Sequence, residues 1–143
     1  MKYLGLDLGT RTLGIAISDI THFIATPLKV IRFSESAYQD TIKPLKDIIS
    51  EEKIEKIILG LPKNMNNSIG ERANVTLEYK SLLEKEFNLP VIMQDERLST
   101  VSAHNYMLEA DLSRKKRKNK VDGLAASIIL QTYLDIERRN NNE

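Results

Sequence analysis

Apolar and polar residues alternate at every second position through residues 2 to 8 (KYLGLDL) and 12 to 18 (TLGIAIS), with Gly9, Thr10 and Arg11 between them. Side chains of a strand point to opposite faces in turn, so this period predicts two strands joined as a hairpin. A third extended segment fits residues 23 to 32. Over 36 to 53 the period lengthens, and Ile42, Leu45, Ile48 and Ile49 recur at helical spacing. Pro44 belongs near the start of that helix, where a missing backbone N–H costs nothing. Residues 54 to 60 (IEKIILG) form a fourth strand, and 69 to 87 return to helical spacing through Val75, Leu77, Leu82 and Leu83. Pro90 to Met93 makes a fifth strand, followed by helices from Ser99 to Ala110 and from Val121 to about Arg138.

The order βββαβαβαα predicts an α/β fold with a mixed five-stranded sheet. Its three leading strands run antiparallel, the last two run parallel, and helices cover both faces. Ligands of such sheets bind beyond the carboxyl ends of the strands. A chain of 143 residues fits one domain, expected over 1–138 with a fraying polar tail at 139–143.

Composition narrows the chemistry. With 41% hydrophobic and 29% charged residues the chain builds an ordinary core. Cysteine is absent, which removes disulfides, thiolate metal sites and a cysteine nucleophile. No secretory segment or membrane span is expected, so the predicted location is the cytoplasm. The net charge of +1 conceals an uneven distribution. Arg114, Lys115, Lys116, Arg117, Lys118 and Lys120 lie within seven residues, and the rest of the chain is net acidic. One concentrated basic segment on an acidic body suits a domain that meets a polyanion at one place. A solvated lysine-rich loop is the plainer alternative.

Three acidic positions stand out. Asp7 interrupts an apolar strand near the predicted sheet centre, where an uncompensated charge is costly. Alternation puts it on one face with Tyr3 and Gly5. Gly14, Ala16 and Ser18 of the neighbouring strand lie opposite, and these small residues are expected to leave the face open. Hydrogen bonding to turn amides near Gly9 to Arg11 would also account for Asp7. Asp95 and Glu96 follow the fifth strand, and since adjacent extended residues point oppositely, only one of them faces Asp7. Ordinary loop charge is the alternative for this pair. Asp122, in the first turn of the predicted last helix, shares an arc with Ile129 and Tyr133, although the helix dipole alone could explain an acid there.

Carboxylates from strand 1, the end of the last strand and the last helix can bind Mg²⁺ or Mn²⁺ through oxygen. Two such ions support in-line hydrolysis of a phosphodiester. His22 and His104 lack zinc spacing and are read as structural, and Gly5, Gly9 and Gly14 match neither a phosphate loop nor a dinucleotide fingerprint.

Four ordered segments carry a specific resemblance: YLGLDLGTRTLGIAISD (3 to 19), GLPKNMNNSIGERA (60 to 73), DERLST (95 to 100) and RKKRKNKVDGLAASIILQTYLD (114 to 135). Together they resemble the YqgF/RuvX family, described as Holliday junction resolvases and as pre-16S rRNA nucleases with a ribonuclease H-like fold. The resemblance implies that Asp7, Glu96 and Asp122 are metal-binding catalytic carboxylates, with Asp95 in reserve. It implies nucleic-acid contacts at Arg11, Lys63, Asn64, Arg72 and Arg97 and along the basic segment from Arg114 to Lys120. Asn67 stands where the family commonly has glycine. The function implied is metal-dependent endonucleolytic maturation of the pre-16S rRNA 5′ end, with precursor rRNA as partner, alone or within ribosomal particles, and a monomer or homodimer as the active species. Resolution of branched DNA in recombination and repair, and binding without cleavage, are the alternatives. DLGTRT (7 to 12) also resembles the first phosphate loop of actin-like and sugar-kinase ATPases. Those clamp nucleotide between two domains, and this length accommodates one.

Overall fold

The computed structural model describes the backbone of residues 1–61, 71–95 and 114–141, with side chains over 1–61, 73–94 and 124–140. Strands β1 (Lys2–Leu8), β2 (Thr12–Ser18), β3 (Ala25–Arg32), β4 (Ile54–Leu61) and β5 (Val91–Asp95) form one sheet in the order β3-β2-β1-β4-β5. β1, β2 and β3 pair antiparallel, while β1–β4 and β4–β5 pair parallel, as expected.

Period two separates the two faces. Leu4, Leu6 and Leu8 join Leu13, Ile15, Ile57 and Leu59 in the larger core, which Leu45 and Ile48 of helix α1 (Ile42–Glu52) and Tyr79 and Leu83 of α2 (Glu71–Phe87) close. Pro44 is the third residue of α1, in its first turn. Lys53 ends that helix in the left-handed conformation, its N–H bonding the Ile49 carbonyl. β4, α2 and β5 complete the parallel crossover.

Helix α3 (Arg114–Asn141) lies on the other face, where Ala126, Ile129, Leu130 and Leu134 pack on Tyr3, Ala16 and Ile58. The small residues of β1 and β2 therefore admit a helix instead of leaving the face open. At Gly5 an added Cβ would lie 2.7 Å from Leu130 Cβ and 3.0 Å from the Ala126 carbonyl oxygen.

Two expectations about α3 need correction. The basic stretch from Arg114 to Lys120 is not a loop but the opening turns of this helix, and the helix runs on to Asn141, into the expected tail. Lysine and arginine are good helix formers, and extending a packed helix costs far less than nucleating one. A charge run has no apolar period, so pattern reading misses it. Asp122 consequently stands in the third turn, beyond reach of the terminal dipole that could have explained it. The helix expected at 99–110 lies outside the described residues. No helix among the described residues is long and apolar enough to cross a membrane.

Candidate active site

Asp7 is half-buried near the carboxyl end of the central strand β1. It is in register with Gly14 of β2, and the parallel β1–β4 register, continued one step past Leu6 and Leu59, sets it beside Gly60. Gly60 is in turn in register with Gln94 of β5. A row of Gly14, Asp7, Gly60 and Gln94 thus crosses four strands, with Gln94 about 10 Å from Asp7 at two strand spacings. The position in register with Asp7 on each neighbouring strand is a glycine. Gln94 is only 8% exposed. Sequence reading passed over it by ending the fifth strand at Met93, whereas the strand runs to Asp95, and a carboxamide just before two acids is the signal that could have exposed it.

Helix α3 crosses the same face of the sheet as this row. The Tyr3 hydroxyl donates to Glu137 near the carboxyl end of α3 at 3.0 Å, while Gly5 lies under Leu130 and Ala126, so α3 runs antiparallel to β1. From Gly5 to Asp7 the strand advances about 6.6 Å, which four to five helical residues match. Counted back from Ala126 and Leu130, which flank Gly5, that distance ends between residues 121 and 126 of α3. β5 carries Asp95 in register with Leu61 at the same end of the sheet.

The remaining site candidates divide simply. Arg11 sits in the β1–β2 turn, largely exposed, with Glu35 3.3 Å away. Glu96, Lys63, Asn64, Asn67, Arg97 and His104 lie outside the described residues. Arg72 and Arg114 to Lys120 are placed only as backbone in α2 and α3. Among the described residues no group of three or more His, Cys, Asp or Glu could hold a metal ion. His22 is structural, stacked on Tyr3 with ring centroids 3.9 Å apart and bonded to the Met1 carbonyl at 2.8 Å.

A mixed sheet in this strand order, with an acid at the carboxyl end of its central strand and a covering helix antiparallel to that strand, defines the ribonuclease H-like class. A model of the family described as RuvX, Holliday junction resolvase, matches residues 1–136, and the chain belongs to that family. It is therefore a nuclease, a hydrolase of phosphodiester bonds. A protein of Geobacillus sp. (strain WCH70), provisionally named a pre-16S rRNA nuclease, is 48% identical over 135 residues, covering 94% of this chain and 98% of its own. Among solved structures, RuvC of Thermus thermophilus bound to a Holliday junction substrate has the same fold with a TM-score of 0.58 at 15% identity, covering 90% of this chain and 91% of that one. The Holliday junction resolvase of fowlpox virus gives 0.53 at 15% identity, covering 94% and 99%.

Proposed function

We propose that this nuclease matures the 5′ end of the 16S rRNA precursor by endonucleolytic cleavage, with Asp7, Glu96 and Asp122 as its metal-binding carboxylates. The observation that carries the choice of substrate is the 48% identity, over nearly full length, to a relative bearing that provisional name. Alternation along β5 supports Glu96 over Asp95. Met93 packs with the Leu59 core, and alternation gives position 95 that same face, opposite to the face of Asp7.

The donor chemistry fits a hard cation. A carboxylate between two glycines, with neither thiol nor imidazole in its row, suits Mg²⁺ or Mn²⁺ and disfavours zinc. Bound there, divalent ions supply an activated water and charge stabilisation at the leaving oxygen. Asp7 stands on β1 and Asp122 on α3, regular elements that fix the backbone positions of these two proposed ligands. Gln94, from the edge of the same row, can donate a hydrogen bond to a substrate oxygen. Arg11 and the basic opening turns of α3 bind the phosphate backbone, which positions the polymer without reading its sequence.

The test is single-turnover cleavage, with Mg²⁺ or Mn²⁺, of a precursor rRNA end and of a four-way DNA junction. Asp7→Asn is expected to lower the rRNA rate by at least about a hundredfold, as loss of several kcal/mol of metal stabilisation requires, while binding survives. Cleavage of the junction alone would replace rRNA with branched DNA as substrate. Tight binding without cleavage of either would favour a regulator, and undiminished cutting by the variant would remove Asp7 from the site.

A further inference from the structure

A small cleft opens at the Asp7 end of the sheet, on the face of the larger core. β3 ends with Arg32 in register with Thr12, the first residue of β2, and the chain then crosses that end before descending through α1. It is stitched to the β1–β2 turn on the way. The Phe33 N–H bonds the Arg11 carbonyl at 2.9 Å and the Ser36 N–H the Thr10 carbonyl at 3.0 Å, with Ser36 in the left-handed conformation at φ 63°. A single 3-10 turn, Tyr38–Thr41, follows. The fully buried Thr41 hydroxyl donates to the Tyr38 carbonyl at 2.7 Å, which leaves Tyr79 of α2 as the donor in the 2.6 Å bond between the Tyr79 and Thr41 hydroxyls. Tyr38 meets Phe33 and Tyr79 edge to face, with ring centroids 5.7 Å and 6.1 Å apart. Between this turn and α2 lies a cleft of about 250 Å³, walled by Tyr38, Tyr79, Val75 and Leu82 and rimmed by the exposed Gln39 and Glu78. Hydrogen bonds and edge-to-face ring contacts fix its walls, so little entropy is lost when it is filled.

We infer that this cleft takes one unstacked nucleobase of a single-stranded substrate, a base that carries an exocyclic amino group. The inference rests on the nuclease reading above and adds to it a subsite away from the metal carboxylates. The cleft is smaller than the roughly 300–1,000 Å³ of pockets for drug-sized ligands, so a single ring system is its measure. Tyrosine and aliphatic walls suit the faces of a base, whereas the one charge on its lining among the described residues, Glu78, repels phosphate. That carboxylate accepts from the amino group of adenine, cytosine or guanine and opposes O4 of uracil, itself an acceptor. Gln39 beside it can donate to a ring nitrogen. The place of the cleft suits the strand that meets Asp7. Its wall is bonded to the turn that carries Arg11, a largely exposed cation available to a neighbouring phosphate. Alternation puts Asp7 on the other face of the sheet, so a strand reaching both sites passes over the β1–β2 turn, and the bound base lies outside the scissile nucleotide.

The test is fluorescence anisotropy of the full chain, in EDTA to prevent cleavage, with labelled short oligouridylates that carry at their centre uridine, adenosine or purine riboside, which is adenosine without its amino group. Adenosine should tighten wild-type binding at least about fivefold over uridine, the lower end for one base–aromatic contact, and purine riboside should recover little of that gain. Val75→Phe, which fills the cleft, should remove the preference for adenosine, and Glu78→Ala should make adenosine and purine riboside equivalent. The ratio between oligomers is the readout, so a general change in affinity from the lost charge does not affect it. Glu78 is exposed on α2, and its variant decides the matter even if Val75→Phe does not fold. Equal binding of the three oligomers by wild type, or a preference that survives both substitutions, would overturn the inference while leaving the cleavage test of Asp7→Asn as it stands. Competition by free adenosine as strong as by the adenosine oligomer would make the cleft a nucleoside site and overturn its role on a strand. A wild type that binds none of the oligomers would overturn both this subsite and the reading of RNA as substrate.

Discussion

Gly5 lies where the helix carrying Asp122 comes closest to the strand carrying Asp7. A methyl group there would meet Leu130 Cβ at 2.7 Å and a backbone oxygen at 3.0 Å, and backbone cannot swing aside. Gly5→Ala is therefore expected to lower stability by about 1–3 kcal/mol in urea denaturation, the usual cost of overpacking. Since relief requires α3 to move about one turn from Asp122, cleavage should fall further than stability alone explains. Normal single-turnover rates in folded Gly5→Ala would show that the depth of α3 is irrelevant to the site. For Asp7 the expected signature is thermal as well as catalytic. Saturating Mg²⁺ should raise the melting temperature of wild type but not of Asp7→Asn, because a ligand that binds only the folded state stabilises it.

At the scale of elements, α3 opens with clustered cations and no acid in its first turn. Cations near a helix amino end oppose the dipole, each by about 0.3–1 kcal/mol, so those turns are electrostatically unfavourable until an anion neutralises them. A phosphate backbone laid along them would remove the conflict. Replacing Lys115, Lys116, Arg117 and Lys118 with glutamine should reduce the slope of log affinity against log salt by about 0.9 for each duplex phosphate that is no longer neutralised. An unchanged slope would take the segment out of the interface. The β2–β3 turn is held by the Asp19 carboxylate, which accepts the Phe23 and Ile24 N–H groups, and by Gln131, which accepts from the Ala25 N–H and donates to the Phe23 carbonyl. Asp19→Ala should accelerate amide exchange at Phe23 and Ile24 while leaving the central strands protected, and uniform protection would mean that Gln131 alone holds the turn.

Across the whole molecule, α3 is fastened at the end away from Asp7 by a half-buried polar cluster. Lys56 donates to the Tyr133 hydroxyl at 3.0 Å and to Glu137 at 3.3 Å, and Tyr133 donates to Glu137 at 3.0 Å. Burial works against the Glu137 carboxylate, but hydrogen bonds from Tyr133, Tyr3 and Lys56 outweigh it and hold its pKa below the ordinary value. Burial likewise works against the Lys56 ammonium, yet bonds to Tyr133 and Glu137 hold it above its own. Glu137 therefore contributes stability above the ordinary carboxylate range, lost as pH falls through its lowered value. Lys56 contributes below the ordinary lysine range, lost as pH rises through its raised one. Glu137→Gln should flatten the acid limb of the urea midpoint against pH and cost about 1–3 kcal/mol at neutrality, and an unaltered acid limb would deny Glu137 this role. Much of this architecture is legible in the residues themselves. The strands, their inward faces, the β1–β2 turn and the suspicion attached to Asp7 all follow from periods of two and 3.6, which backbone geometry imposes within each element. What the tertiary structure alone decided is which elements meet, and at what depth. β1 and α3 stand far apart in the chain, and Gly5 under Leu130 and Ala126 sets how closely they pack. Gln94 joined the row through a strand register that no local pattern encodes, and the basic stretch became helix by extending one already packed. Periodicity records how a chain turns on itself locally, whereas a site depends on contacts between distant segments that a few close-packed residues determine.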